Sequence, residues 1–244
     1  MISSPEEKLL YSEIQKKLFY IIPEKWECIY LYASVIDVPN QKSVGEMYFY
    51  YLPKGIIKKK YVNGYEIPSI FNIDEEQYSK LITDVYNLVK LLHEKFVGTG
   101  KKKWSSITIT IRDSQFLVEF DYEDLTKSEF DSYQRHVIWR STYLKEDTNN
   151  LSRKDKKILD WYAQYLNVHD VPKKDFVVEP MYKLPVKNIV EYEKTLTVDE
   201  AMARTDNNTP KPKKKIGLFS KKKKEETNED DEITYNNQIL NYKK

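Results

Sequence analysis

The residues best placed to do chemistry are carboxylates. Glu119, Asp121, Glu123 and Asp124 surround Phe120 and Tyr122 in the run Glu119-Phe120-Asp121-Tyr122-Glu123-Asp124. Clustered carboxylates serve two kinds of chemistry. They ligate hard divalent cations, as in metal-dependent nucleases, with Asp113, Glu119, Asp121 and Glu123 as the candidates in this chain. They also present fixed negative charge to the arginines and lysines of a partner. The spacing does not favour the metal reading, because no lysine stands two residues after any of these acids, as the common nuclease arrangement of Asp and then Glu-any-Lys requires. The other reactive types are scattered. His93, His136 and His169 have no zinc-site spacing, and Cys28 sits beside Ile29 in an apolar run as a small core residue. Six glycines in 244 residues, with no phosphate-loop pattern, leave little for cradling a nucleotide. The chain therefore reads as a binding protein rather than an enzyme, with no catalytic residue, metal or cofactor assigned.

A patterned hairpin over Trp104 to Asp124 must hold the acids in place. With Arg112 to Gln115 as the turn, Ile111 opposes Phe116, Ile109 opposes Val118 and Ile107 opposes Phe120, giving one apolar face. The other face pairs Thr110 with Leu117, Thr108 with Glu119 and Ser106 with Asp121, and is expected to face solvent. Tyr122, Trp139 and Tyr143 are the aromatic neighbours suited to anchor a partner.

Helical spacing marks Glu6 to Ile22, with Leu10, Ile14 and Leu18 on one face and Pro23 as the stop. Trp26 to Ile36 and Met47 to Leu52 read as a first hairpin, and Lys58 to Phe71 as a turn-rich connection with one short strand. Asp74 and Gln77 resemble a capping box ahead of the stripe Tyr78, Leu81, Val85, Leu88, Leu92 and Phe96. Two more helices are expected, over Ser128 to Leu144 and from Ser152 to Leu166. The fold class is α+β, an antiparallel sheet of two hairpins covered on one face by helices, in the order helix, hairpin, helix, hairpin, two helices.

Composition allows this fold: 40% of residues are hydrophobic and 14% aromatic. A net charge of only +2 does not call for nucleic acid or a membrane. One cysteine excludes an intrachain disulfide. With no leader pattern and no long apolar run, the expected location is the cytoplasm. Residues 1–166 form the expected domain and 167–204 a partly ordered extension, with a short helix in Ile189 to Ala203. Residues 205–244 form an expected disordered tail: Lys211 to Lys224 holds eight lysines, among them Lys213, Lys214, Lys215, Lys221, Lys222, Lys223 and Lys224, and Glu225 to Glu232 answers with six acids. The reading preferred for that tail is a solvated, self-neutralising segment. Contact with nucleic acid or an anionic membrane is the alternative, and would make the protein an adaptor.

Several segments in this order resemble one family. Ile21-Ile22-Pro23-Glu24-Lys25-Trp26, Ile29-Tyr30-Leu31-Tyr32-Ala33, and Tyr48-Phe49-Tyr50-Tyr51 ahead of Pro53-Lys54 are similar to the start of the YezG family of bacterial immunity proteins. Ile67-Pro68-Ser69-Ile70-Phe71, Trp104-Ser105-Ser106, Phe120 to Leu125, Val137-Ile138-Trp139 and Tyr143-Leu144 continue the likeness over about residues 6 to 166. The resemblance implies an antitoxin that binds and neutralises the C-terminal domain of a secreted polymorphic toxin, typically a DNA-degrading nuclease exported by a type VII system; the mode expected here is stoichiometric occlusion. It implies a protein partner, no small-molecule substrate and no cofactor. Placing the toxin contact at Glu119, Asp121, Tyr122, Glu123 and Asp124 comes from the residues, not from the family.

Overall fold

A computed structural model describes residues 3–55, 60–98, 100–170 and 174–181. The expected helix in 189–203 and the tail at 205–244, with its lysine clusters, lie outside the described residues.

Helix α1 (Pro5–Ile21) begins at a capping box: the Ser4 hydroxyl accepts from the Glu7 amide at 3.2 Å, and the Glu7 carboxylate accepts from the Ser4 amide at 2.9 Å. Strands β1 (Trp26–Ser34) and β2 (Met47–Pro53) form the first hairpin. The connection that follows holds the two-residue strand β3 (Val62–Asn63), one 3-10 turn and the short helix α2 (Ile67–Phe71). Helix α3 (Glu75–Gly98) starts where Asp74 accepts from the Gln77 amide at 2.8 Å. Its buried stripe is Tyr78, Ile82, Val85, Leu88, Leu92 and Phe96. Ile82 thus takes the place expected for Leu81, which is half-buried.

Strands β4 (Ser106–Arg112) and β5 (Gln115–Asp121) pair in the expected register, Ile107 with Phe120 through Ile111 with Phe116. Asp113 and Ser114, at φ of 51° and 62°, make the two-residue left-handed turn that suits the twist of a hairpin. Helices α4 (Ser132–Tyr143) and α5 (Arg153–Val168) follow, then strand β6 (Asp175–Pro180). The sheet order is β3-β2-β1-β4-β5-β6, antiparallel throughout.

One sheet face carries Ile29, Leu31, Ala33, Phe49, Ile107, Ile109, Ile111, Phe116, Val118 and Phe120, none more than 2% exposed. Helices α1 and α3 close it: Tyr11 meets Phe116 with ring centroids 5.8 Å apart, and Phe96 meets Phe120 at 4.8 Å. Gly64 is required beside this core, because a Cβ there would lie 2.0 Å from the Phe49 ring.

The second face departs from expectation. It is not left to solvent, because α4 covers its β2–β1–β4 part. Tyr30, Tyr32, Tyr48 and Tyr50 are buried there with Cys28, Leu52, Trp139 and Leu144. Tyrosine is an amphipathic residue, and here some polar groups of the covered face find their partners inside. Tyr50 shares a 3.0 Å hydrogen bond with His136 Nε2, and Trp139 Nε1 donates to the Thr108 hydroxyl at 3.0 Å. Glu46 ties the start of α4 to the sheet, accepting from Ser132 Oγ and, at 3.4 Å, from Arg135. Burial pushes the Glu46 carboxyl pKa upwards.

Candidate docking surface on the second sheet face

Alternation along β5 sends Glu119 and Asp121 to the same side as Leu117, away from the aliphatic core. This side lies beyond the part of the face that α4 covers. Both carboxylates are half-buried, less open than the sequence suggests, because β6 lies alongside β5. Its register sets Val178 opposite Leu117 and Phe176 opposite Glu119.

Lys174, just before β6, reaches Asp121 at 3.3 Å, and its Nζ donates to the Tyr143 hydroxyl at 3.4 Å. Burial acts to lower the Lys174 pKa, but the Tyr143 and Asp121 oxygens outweigh it and hold the ammonium charged. Asp121 is therefore largely neutralised. Its other oxygen accepts from the Glu123 amide at 3.1 Å, which starts the turn after β5.

Asp124 belongs to that turn. It accepts from the Thr126 hydroxyl at 2.6 Å and the Thr126 amide at 3.1 Å and pairs with Lys127 at 3.1 Å, and these contacts, the hydroxyl's first, hold its carboxyl below the usual range. Tyr122 points to the strand edge, donating to Asp175 at 2.9 Å with the Lys102 ammonium 4.6 Å from its ring centre. Burial, then the bond to Asp175, raises the Tyr122 pKa. Glu119 and Glu123 have no cationic partner among the described residues. Among the described residues, the five expected site residues therefore resolve into two carboxylates without a cationic partner, two paired ones and a tied tyrosine.

Of the aromatic candidates, Trp139 is a core residue at 5% exposure, whereas Tyr143 is half-buried between Trp139, at a centroid distance of 5.3 Å, and Lys174. Sequence reasoning missed Phe176 and Val178, which stand 61% and 52% exposed on the same side as Leu117. A signal was present: Asp175-Phe176-Val177-Val178-Glu179 is a β-branched and aromatic run closed by Pro180, with Pro172 just before it.

The histidines are structural. His93 Nε2 shares a 2.9 Å hydrogen bond with the Trp104 carbonyl, and burial lowers the His93 pKa. His136 is buried between Tyr48 and Tyr50, and His169 stacks on Tyr165 with ring centroids 4.1 Å apart. Among the described residues, no group of three or more His, Cys, Asp or Glu side chains is arranged to hold a metal ion, and no helix is long and apolar enough to cross a membrane. What the surface can do is grip another protein: an exposed apolar strip supplies contact area, and carboxylates without a cationic partner among the described residues supply charge beside it.

Comparison with known proteins gives the same direction. The family described as "Immunity protein YezG-like" matches residues 8–159. Immunity protein YezG of Bacillus spizizenii is 28% identical over 170 residues, 69% of this chain and 98% of that protein. Immunity protein YezG of Bacillus subtilis is 30% identical over 131 residues, 53% of this chain and 82% of that protein. The type VII secretion system protein EsaG of Staphylococcus aureus is 32% identical over 138 residues, 55% of this chain and 80% of that protein.

Proposed function

The chain belongs to the family of YezG-like immunity proteins, and on that premise we propose that it binds the C-terminal nuclease domain of a cognate secreted toxin and neutralises it by stoichiometric occlusion. The family match, running through every element from α1 into α5, carries this reading. The named relative in the type VII secretion system supports the link to an exported toxin.

The protein acts in the cytoplasm of the producing cell, before export, and without catalysis of its own. Glu119 and Glu123 meet arginines or lysines of the toxin where phosphates of DNA would sit. Fixed carboxylates on a sheet speed association by electrostatic steering and form charge-assisted hydrogen bonds on docking. Asp121, Tyr122 and Asp124 shape this end of the surface through their internal bonds.

The test is co-purification with the nuclease domain encoded beside this gene, followed by a DNA-degradation assay. A one-to-one complex without nuclease activity is expected. Recovery of free, active nuclease in the presence of excess protein would end this reading. Charge reversal at Glu119 and Glu123 is expected to slow association and weaken the complex at low salt, with the difference from wild type shrinking as salt rises.

A further inference from the structure

Strand β6 adds an apolar strip to the sheet outside the stretch that defines the family. The family match stops at residue 159, whereas β6 spans Asp175–Pro180 and pairs with β5 over Gln115 to Phe120. Its sequence alternates as an edge strand with one face in the core: Val177 is 4% exposed, while Phe176 and Val178 turn the other way and stand open. Exposed phenylalanine and valine, in register with Glu119 and Leu117, make a contiguous strip rather than scattered apolar atoms.

The strip is bounded. Lys174, held by Asp121 and Tyr143, closes one end, and Pro180 closes the other opposite Gln115. Glu119 stands beside Phe176 with no cationic partner among the described residues, and Glu123 lies further along the acidic end.

We propose that this β5–β6 face is the docking surface for the toxin's nuclease domain, with Phe176 and Val178 as its apolar anchors and Glu119 as the charged contact beside them. The proposal rests on the immunity reading above. Its occupant is a basic protein surface with an apolar recess, as the phosphate-binding side of a nuclease provides, because charge complementarity selects it. A second copy of this chain is disfavoured by the same residues, since a two-fold pairing of this face would bring the acidic groups Glu119 and Glu123 of both copies into one interface. Aromatic and aliphatic anchors desolvated at the centre of an interface dominate its energy, while flanking charges govern the rate of encounter. Because β6 lies outside the family match, it also supplies side chains by which this member distinguishes its own toxin from those of its relatives.

The experiment uses the full chain and the nuclease domain encoded beside its gene. Wild type, Phe176→Ser/Val178→Ser and Glu119→Lys are compared by titration calorimetry and stopped-flow association, with thermal melts of each free protein. The double variant is expected to weaken binding by at least about 100-fold, chiefly through faster dissociation, with its melting temperature nearly unchanged. Glu119→Lys is expected to slow association about tenfold, with the difference shrinking as salt increases. Hydrogen exchange on the wild-type complex guards against a folding defect in the variants, and protection concentrated in residues 115–121 and 174–180 is expected.

Wild type that binds while both variants bind equally well, with no protection on β5 or β6, would overturn the docking proposal and leave the immunity reading intact. Wild type that fails to bind the nuclease would instead overturn the immunity reading. A wild-type dimer in sedimentation that dissociates in Phe176→Ser/Val178→Ser would assign the face to a second copy and overturn the proposal.

Discussion

The two faces of the sheet solve different problems with the same strands. Toward α1 and α3, nearly every position is aliphatic or phenylalanine and almost fully buried. Toward α4, the strands offer tyrosine, threonine and glutamate; α4 seals the β2–β1–β4 part, and the β5–β6 part stays accessible. A face built from amphipathic residues can be dry in one half and wet in the other without changing residue type. The aliphatic face holds the fold, and the mixed face leaves room for a partner beside a rigid support.

The comparison is broken most severely on the aliphatic side. Phe120→Ala removes a ring packed against Phe96 and Trp104, and is expected to cost about 3–5 kcal/mol in urea unfolding. A loss below about 1 kcal/mol would mean that this face is not the main support.

On the mixed face, the sealed half should be sensitive to acid. Burial, reinforced by nearby Arg140, depresses the His136 pKa from 6.5 to about 3. The unfolded chain therefore takes up a proton as pH falls below about 6.5 while the folded protein does not. The stability attached to neutral His136 is complete above that pH and is lost progressively down to about 3. Wild type should lose about 2 kcal/mol from this group between pH 7 and pH 5. His136→Gln should flatten that part of the stability–pH curve, and equal slopes in the two proteins would contradict this account.

Thr108→Val sharpens the same half by one atom. It leaves the buried Trp139 Nε1 without its acceptor, at an expected cost of about 1–2 kcal/mol in the same unfolding assay. The open half should respond least. Phe176→Ser and Val178→Ser are each expected to change stability by less than about 0.5 kcal/mol, since both side chains are more than half exposed. A large loss of stability there would show that these residues serve the fold rather than a partner.

Much of this division can be read from the chain, and the places where it cannot have physical causes. The β4–β5 register follows from strict alternation around a two-residue turn, and every expected pair forms. The helix starts at Asp74 and Ser152 follow from capping chemistry, each with its side chain accepting from an amide three residues on; the Ser4 cap of α1 was not read from the sequence. The covering of the second face was not legible, because tyrosine is equally at home wet or buried and only the positions of Trp139 and His136 in space decide which. The free charge at the candidate site was overstated. Lys174 and Lys127 neutralise Asp121 and Asp124 from 53 and three residues away, and the first separation leaves no trace in the sequence pattern. Strand β6 was hidden by its short length between prolines, although its residue types favour a strand.

The most direct measurement of the central claim is inhibition by titration: a fixed amount of the co-encoded nuclease domain degrades plasmid DNA while this protein is added in steps across equivalence. The account predicts a linear fall in activity that reaches zero at one molecule per nuclease. Undiminished cleavage at a large molar excess would contradict it.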